Sequence, residues 1–299
     1  MERKPNYVVS VSGGAGKHVM FTAVAKNIKA TYPNHNLIVI SPYPDLLINI
    51  PYIDRVYKTG TTPYMYDDFV GNHPDNIVSA AEPYIHNNYL LEKEHLIQTW
   101  SRTLEVVPNL EVPELAINRQ EQYIFQERFG KQLGDPNKPI MIINPFGGPQ
   151  KDEQPYNWCR DLHPEQAQLL VNHYSSTYNV VHVARPDQKT LDNTIKFSGN
   201  LRELCCLLLL SSKRILIDSF CQHAAAALRL RSTVLWITNK PKVFGYNTHT
   251  NIIARSPDNL IHRVDSLFQP NNWEGSWNHY YPYNDNSIFD LNEIIQSID

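Results

Sequence analysis

Arg214-Ile215-Leu216-Ile217-Asp218-Ser219-Phe220-Cys221-Gln222-His223-Ala224-Ala225-Ala226-Ala227-Leu228 is the stretch that decides the fold. Arg214 to Ile217 is an apolar run of strand length, and the Ala-rich residues behind it read as a helix from Phe220 to about Leu230. Asp218 and Ser219 stand between the two, where small polar side chains cap a helix start. A buried strand feeding directly into a helix is the repeating unit of a parallel α/β sheet. The same turn leaves unpaired N–H groups and the positive end of a helix dipole beside Asp218 and Ser219, a combination that binds phosphate. His223, one turn into the helix, adds a possible donor. The plainer alternative is an ordinary Asp/Ser cap with a partly buried histidine.

Working outward, the unit recurs. Tyr7 to Val11 reads as a first strand, followed by Ser12-Gly13-Gly14-Ala15-Gly16 and a helix through about Ala30. Leu37 to Ile40 and Arg55 to Tyr57 are further strands, and Tyr89 to Leu104 is helical. Thr59 to Asn76, rich in Pro, Gly, Tyr and Asp, is a long loop of the kind that binds ligands. Gly130 to Pro139 reads as a linker. A second series then runs through a strand at Ile140–Ile143, a helix at Pro164–Tyr174, a strand at Asn179–Val183, a helix at Leu201–Ser211, the quoted unit, and a strand at Thr233–Trp236. Two such series predict an α/β protein with two doubly wound domains. A last short helix from about Ser287 to Ile298 is expected to pack back on the body.

With 299 residues and 42% hydrophobic side chains, the chain is long enough for two such domains. Lys and Arg number 27 against 30 Asp and Glu, and no segment is densely basic. That argues against broad electrostatic attachment to nucleic acid or anionic membrane. Cys159, Cys205, Cys206 and Cys221 lack metal-ligand spacing and are expected to be reduced thiols. The first apolar stretch is too brief for a signal-peptide core, and no stretch approaches a membrane span. A cytoplasmic protein without an integral membrane segment is expected.

Ser12 to His18 invites comparison with a phosphate-binding P-loop, but His18 occupies the Ser/Thr place that would ligate Mg²⁺. A P-loop-like ATPase is therefore a minor alternative. Gly13, Gly14 and Gly16 fit as well a tight strand-to-helix turn beside a ligand crevice. Gly147 and Gly148 follow the opening strand of the second series at the equivalent position. Lys151, Arg185, Lys196 and Arg202 are candidate cations for a diphosphate, with Arg185 placed directly after a strand. The 12 histidines form no metal-binding cluster. No Gly-x-Ser-x-Gly elbow occurs.

Gly13-Gly14-Ala15-Gly16-Lys17-His18-Val19-Met20, Pro51-Tyr52-Ile53-Asp54-Arg55-Val56, Phe197-Ser198-Gly199-Asn200-Leu201-Arg202-Glu203-Leu204 and Asp218-Ser219 with His223-Ala224-Ala225-Ala226 together resemble the heptosyltransferase-like glycosyltransferases (family nine, GT-B fold). The resemblance runs from about residue 7 to residue 237, with the segments in the family's order. It implies two facing Rossmann-like domains: an acceptor domain over 1–134, a nucleotide-sugar donor domain over 135–285, and the terminal helix over 286–299.

On that basis Asp218, Ser219 and His223 would meet the donor's diphosphate or sugar, with Gly147, Gly148, Lys151 and Arg185 nearby. Gly199 and Leu201 would lie near the nucleoside, and Gly13, Gly14 and Gly16 would line the acceptor side. The implied reaction moves a sugar from a nucleotide-diphosphate sugar to an acceptor hydroxyl, with inversion and without a metal or other cofactor. It needs a general base. The family's acidic residue after the turn is Lys17 here, ordinarily protonated at neutral pH. His18 and Asp68 are then the other candidates, with Asp45 and Asp67 as further carboxylates, and Phe220 replaces a glycine of the family signature. A glycan or lipopolysaccharide-type acceptor is favoured. A hydroxymethylated base in DNA, which would have to be extruded from the stack, is the alternative. A non-catalytic nucleotide-sugar binder is the third reading, and the oligomeric state is left open.

Overall fold

Branched and aromatic residues that cannot all be solvated drive the strands, and the structure, a computed structural model, describes residues 4–109, 112–147, 158–186, 188–258 and 281–298. The chain divides into two units, Met1–Ala116 with Ala226–Leu228, and Ile117–Ala225 with Arg229–Asp299.

In the first unit, β1 (Asn6–Ser10), β2 (Asn36–Ser41), β3 (Arg55–Lys58) and β4 (Ile77–Ser79) form a parallel sheet in the order β3-β2-β1-β4. Strand β4 was not expected from the sequence; three residues are too few to show a periodicity of their own. Helix α1 (Ala15–Thr31) buries Val19, Phe21, Val24 and Ile28. The expected helix over 89–104 is two helices, α2 (Asn87–Leu90) and α3 (Leu96–Thr103). Glu92 takes a left-handed φ of 48° that stops the first, and the His95 ring accepts from Ile97 N–H at 3.2 Å to start the second. Trp100 of α3, fully buried, packs on Phe21 with ring centroids 5.3 Å apart. Within the long loop, Tyr66–Val70 forms one π-helical turn.

The second unit begins earlier than the linker suggested. Helix α4 (Arg119–Phe129), not expected from the sequence, is started by a reciprocal capping box between Asn118 and Glu121. It stays with the second unit because Phe125 and Phe129 pack on Phe197 at 5.8 and 5.5 Å. Arg202 and Arg128 add ion pairs to Glu121 and Glu203. The division therefore falls after Ala116, not after residue 134.

Beyond it lie β5 (Ile140–Asn144), α5 (Pro164–Tyr174), β6 (Asn179–Val183), β7 (Ile195–Phe197), α6 (Leu201–Leu210), β8 (Lys213–Ile217), α7 (Phe220–Ala227), β9 (Thr233–Trp236), α8 (Pro241–Phe244), β10 (Thr250–Ile253) and α9 (Leu291–Gln296). The six strands are parallel in the order β10-β9-β8-β5-β6-β7. Strands β7 and β10, absent from the sequence reading, are the two edges. Arg229, with φ 61°, ends α7 sooner than the alanine run implied. Ile294 and Ile298 of the terminal segment join Tyr174, Leu170 and Val171 in this unit's core. Among the described residues no helix is long and apolar enough to cross a membrane. All four cysteines are buried free thiols, and burial pushes Cys159 and Cys221 up to about 12, so neither is poised as a nucleophile.

His182 of β6 is wholly enclosed, its ring 5.6 Å from Phe146, with Nδ1 accepting from Leu191 N–H at 3.3 Å. Burial, aided by Lys196, lowers its pKa to about 4. An unfolded chain titrates this ring near 6.5. Below that pH the unfolded state binds a proton that the native state refuses, so stability falls as pH drops from 6.5 towards 4. The loss from this group amounts to about 3 kcal/mol. Urea midpoints at pH 7 and pH 4.5 should therefore separate widely in the parent and much less in His182→Asn; equal separations would assign the acid lability to other groups.

Candidate functional site

A parallel sheet reverses direction of winding at one place, and there the loops after the two flanking strands diverge to opposite faces and leave a crevice at their carboxyl ends. In the six-stranded sheet that place lies between β5 and β8. The turn after β5 carries Asn144 to Gly147, and the turn after β8 carries Asp218 and Ser219. Both were singled out from the sequence, and the topology makes them neighbours. Ser219 Oγ donates to Asn144 Oδ1 at 2.6 Å, while Asn144 Nδ2 donates to the Phe146 carbonyl at 3.2 Å. A Cβ on Gly147 would meet Arg160 Cδ and Ile217 Cδ1 at 3.3 Å and Ser219 Cβ at 3.6 Å. A side chain at position 147 would therefore crowd Arg160, Ile217 and Ser219.

Asp218 is buried, with its carboxylate accepting from Asn239 Nδ2. Burial pushes its pKa up, while Arg160 and the hydrogen bonds from Asn239 and Gln222 pull it back. Asp218 accordingly anchors the turn and fixes Arg160 electrostatically. Ser219 is half-buried and directly precedes α7. Gly147 N–H donates to buried Asp161 Oδ1 at 2.8 Å, so it braces its own loop and is not an open anion donor.

His223, expected at the diphosphate, is held inside the unit. It is almost fully enclosed, its Nδ1 meets the Tyr246 hydroxyl at 2.9 Å, and Gln222 Nε2 lies 3.1 Å away. His223→Ala leaves the enclosed Tyr246 hydroxyl without this partner and should cost about 1–3 kcal/mol of stability. A melting curve checks this, and an unchanged melting temperature would deny the brace.

Of the other cations, Arg185 is exposed at the carboxyl end of β6, the strand beside β5. Lys196 Nζ is engaged by the Pro186 and Gln188 carbonyls, both at 2.9 Å, and Arg202 by Glu121. Neither is placed for a diphosphate. Gly199 and Leu201 lie after β7, two strands from β5, about 10 Å across the sheet. A Cβ on Gly199 would collide with Phe197 at 2.5 Å. Gly148 and Lys151 lie outside the described residues. The sequence reading missed Arg160 and Asn144: a single Arg before a helix and an Asn closing a strand carry no periodic signal.

The first sheet has the same kind of reversal between β1 and β4. After β1, Gly13 adopts φ 91°, a conformation that favours glycine, and a Cβ there would press on Lys17 Cδ at 3.2 Å. Gly14 is the helix cap and Gly16 lies in the first turn of α1. Lys17 Nζ contacts both Glu82 oxygens at 2.7 Å and sits 4.9 and 5.0 Å over the Tyr84 and Trp100 rings. Burial lowers the lysine's pKa, and Glu82 opposes that shift. His18 is completely enclosed, with its nitrogens 2.9 Å from the Gly14 carbonyl and 3.2 Å from the Val11 carbonyl. Such a ring braces the helix start and has no face for an acceptor hydroxyl. Asp68 is also displaced. Asn6, at the amino end of β1, donates to the Phe69 carbonyl at 3.3 Å and to Asn72 at 3.4 Å. Asp68 therefore lies at the end of the sheet opposite Gly13. Among the described residues no group of three or more His, Cys, Asp or Glu side chains is arranged for a metal ion.

No protein-family model matches the sequence, and no curated protein is significantly similar to it. The fold, in contrast, is shared with solved glycosyltransferases. A glycosyl transferase family 9 structure from Veillonella parvula matches with a TM-score of 0.67 at 11% identity, over 98% of this chain and 95% of that one. The E. coli ADP-heptose lps heptosyltransferase II matches at 0.61 and 12% identity, over 88% and 94%. E. coli heptosyltransferase WaaC, solved with ADP, matches at 0.56 and 9% identity, over 97% and 98%. The chain thus has the two-sheet α/β fold of the GT-B heptosyltransferases.

Proposed function

We propose that this chain is a glycosyltransferase that moves a sugar from a nucleoside-diphosphate sugar to an acceptor hydroxyl. The second unit binds the donor and the first binds the acceptor. One observation carries the reading: at the winding reversal of the six-stranded sheet, Ser219, at the start of α7, is joined to Asn144 at 2.6 Å with Arg160 alongside. A helix start and a guanidinium supply the donors and positive charge that a diphosphate requires, and the Ser219 hydroxyl, by donating to Asn144, holds the turn that presents them.

Charge developing on the leaving nucleoside diphosphate is met by Arg160, Arg185 and the dipole of α7, so the chemistry calls for no metal. A direct displacement at the anomeric carbon inverts its configuration. Adenosine diphosphate is bound by one of the structural neighbours, and another is named for ADP-heptose, which makes ADP-heptose the first donor to try.

A thermal-shift screen over nucleoside diphosphates and their sugars tests the reading. A compound that binds only the native state stabilises it by about 2.7 kcal/mol at a hundred times its Kd. A diphosphate nucleotide should raise the melting temperature where free sugars do not, in buffer with EDTA as well as without. Identical melting curves across the screen would refute the donor site.

A further inference from the structure

The reversal between β1 and β4 holds a carboxylate that the sequence did not announce. Glu82 follows β4 and reaches the turn after β1, so its oxygens stand at the carboxyl ends of both strands, where ligands of parallel sheets collect. Its position is built. Lys17 Nζ bonds both oxygens at 2.7 Å, Ser12 Oγ donates to Oε2 at 3.2 Å, and Tyr84 N–H donates to Oε1 at 3.4 Å. The lysine side chain is 4% exposed, yet the Glu82 side chain remains 36% exposed. A buried ammonium thus holds an accessible carboxylate in one orientation. The other carboxylates of this unit considered for the role stand elsewhere. Asp67 and Asp68 are exposed on the turn at the opposite end of the sheet, and Asp45 is exposed on a short turn after β2.

Resting on the glycosyl-transfer reading above, we infer that Glu82 is the general base of the reaction and Lys17 its positioning residue. Glu82 takes the proton of the acceptor hydroxyl as that oxygen bonds to the anomeric carbon of the donor sugar. The bond from the anomeric carbon to the diphosphate oxygen breaks, and its electron pair leaves on the nucleoside diphosphate. Protons and charge balance with no further reactant. Lys17 cannot itself accept the proton while it is held as an ammonium, so the roles of the pair are not interchangeable.

The test measures nucleoside-diphosphate release from ADP-, UDP-, GDP- and dTDP-sugars, with ADP-heptose first, in the presence of glycan acceptors bearing free hydroxyls, alongside the melting shift each donor causes. Glu82→Gln should lower release by about 10²–10⁴-fold while the donor-induced melting shift stays as in the parent. Release within about threefold of the parent would overturn the role of Glu82 and leave the transfer reading standing. No release by the parent from any donor would overturn both. Glu82→Gln strands a buried ammonium and can fail to fold. Lys17→Met against Lys17→Met/Glu82→Gln removes that difficulty, because the two proteins differ only in the carboxylate. The double variant should release at least about a hundredfold less than Lys17→Met; equal rates would again dismiss Glu82.

Discussion

Trp100→Ala should destabilise the first unit by about 3–5 kcal/mol, the range for removing a large buried aromatic side chain. The indole is 1% exposed and packs at a tilt against Phe21 of α1, so its loss opens a cavity between α1 and α3 that backbone shifts fill only in part. The same ring lies 5.0 Å beneath Lys17 Nζ. Its loss therefore also removes one of the two aromatic faces that stabilise the buried ammonium. Trp100→Phe keeps a ring at that place and should recover more than half of the loss. Denaturant midpoints of the three proteins check the claim, and a Trp100→Ala protein within about 1 kcal/mol of the parent would show that α3 is not held by this residue.

Arg160→Ala should weaken nucleoside-diphosphate binding about ten- to hundredfold. Hydrogen bonds between charged partners contribute about 1.5–3 kcal/mol each, and each 1.4 kcal/mol is a factor of ten. Arg160 is expected to matter more than Arg185 because its side chain lies beside Gly147 at the reversal itself and its charge opposes the effect of burial on the Asp218 carboxyl. Removing it also leaves Asp218 buried with less compensating charge, so the turn beneath the diphosphate is disturbed along with the contact. Arg160→Lys keeps the charge without the planar fork and should fall between the two. Calorimetric titration with ADP, or with whichever diphosphate the screen selects, reads the effect. Affinity unchanged in Arg160→Ala would move the diphosphate away from this turn.

The strands at 7–11, 37–40, 140–143, 179–183, 214–217 and 233–236 were legible because each is a run of branched or aromatic residues bounded by turn formers. Edge strands β4, β7 and β10 were not, since three or four residues at a sheet edge bury too little to impose a pattern. Helix α4 has only Phe125 fully buried among eleven residues, so its apolar stripe is faint in the sequence. The Asp218-Ser219 turn and the glycine turn after β1 were readable because a strand-to-helix junction needs small and capping residues in consecutive positions.

Local chemistry along the chain determined that this protein is built from two series of strand–helix units and that Asp218-Ser219 and Gly13-Gly14 open two of their helices. Which side chains meet there was decided by strand order. Setting β8 beside β5 brings Ser219 to Asn144, 75 residues apart, and setting β4 beside β1 brings Glu82 to Lys17, 65 residues apart. A propensity or a cap is written in a few adjacent residues, whereas a contact between the turns that follow neighbouring strands depends on how the whole sheet excludes water, and no local pattern records it.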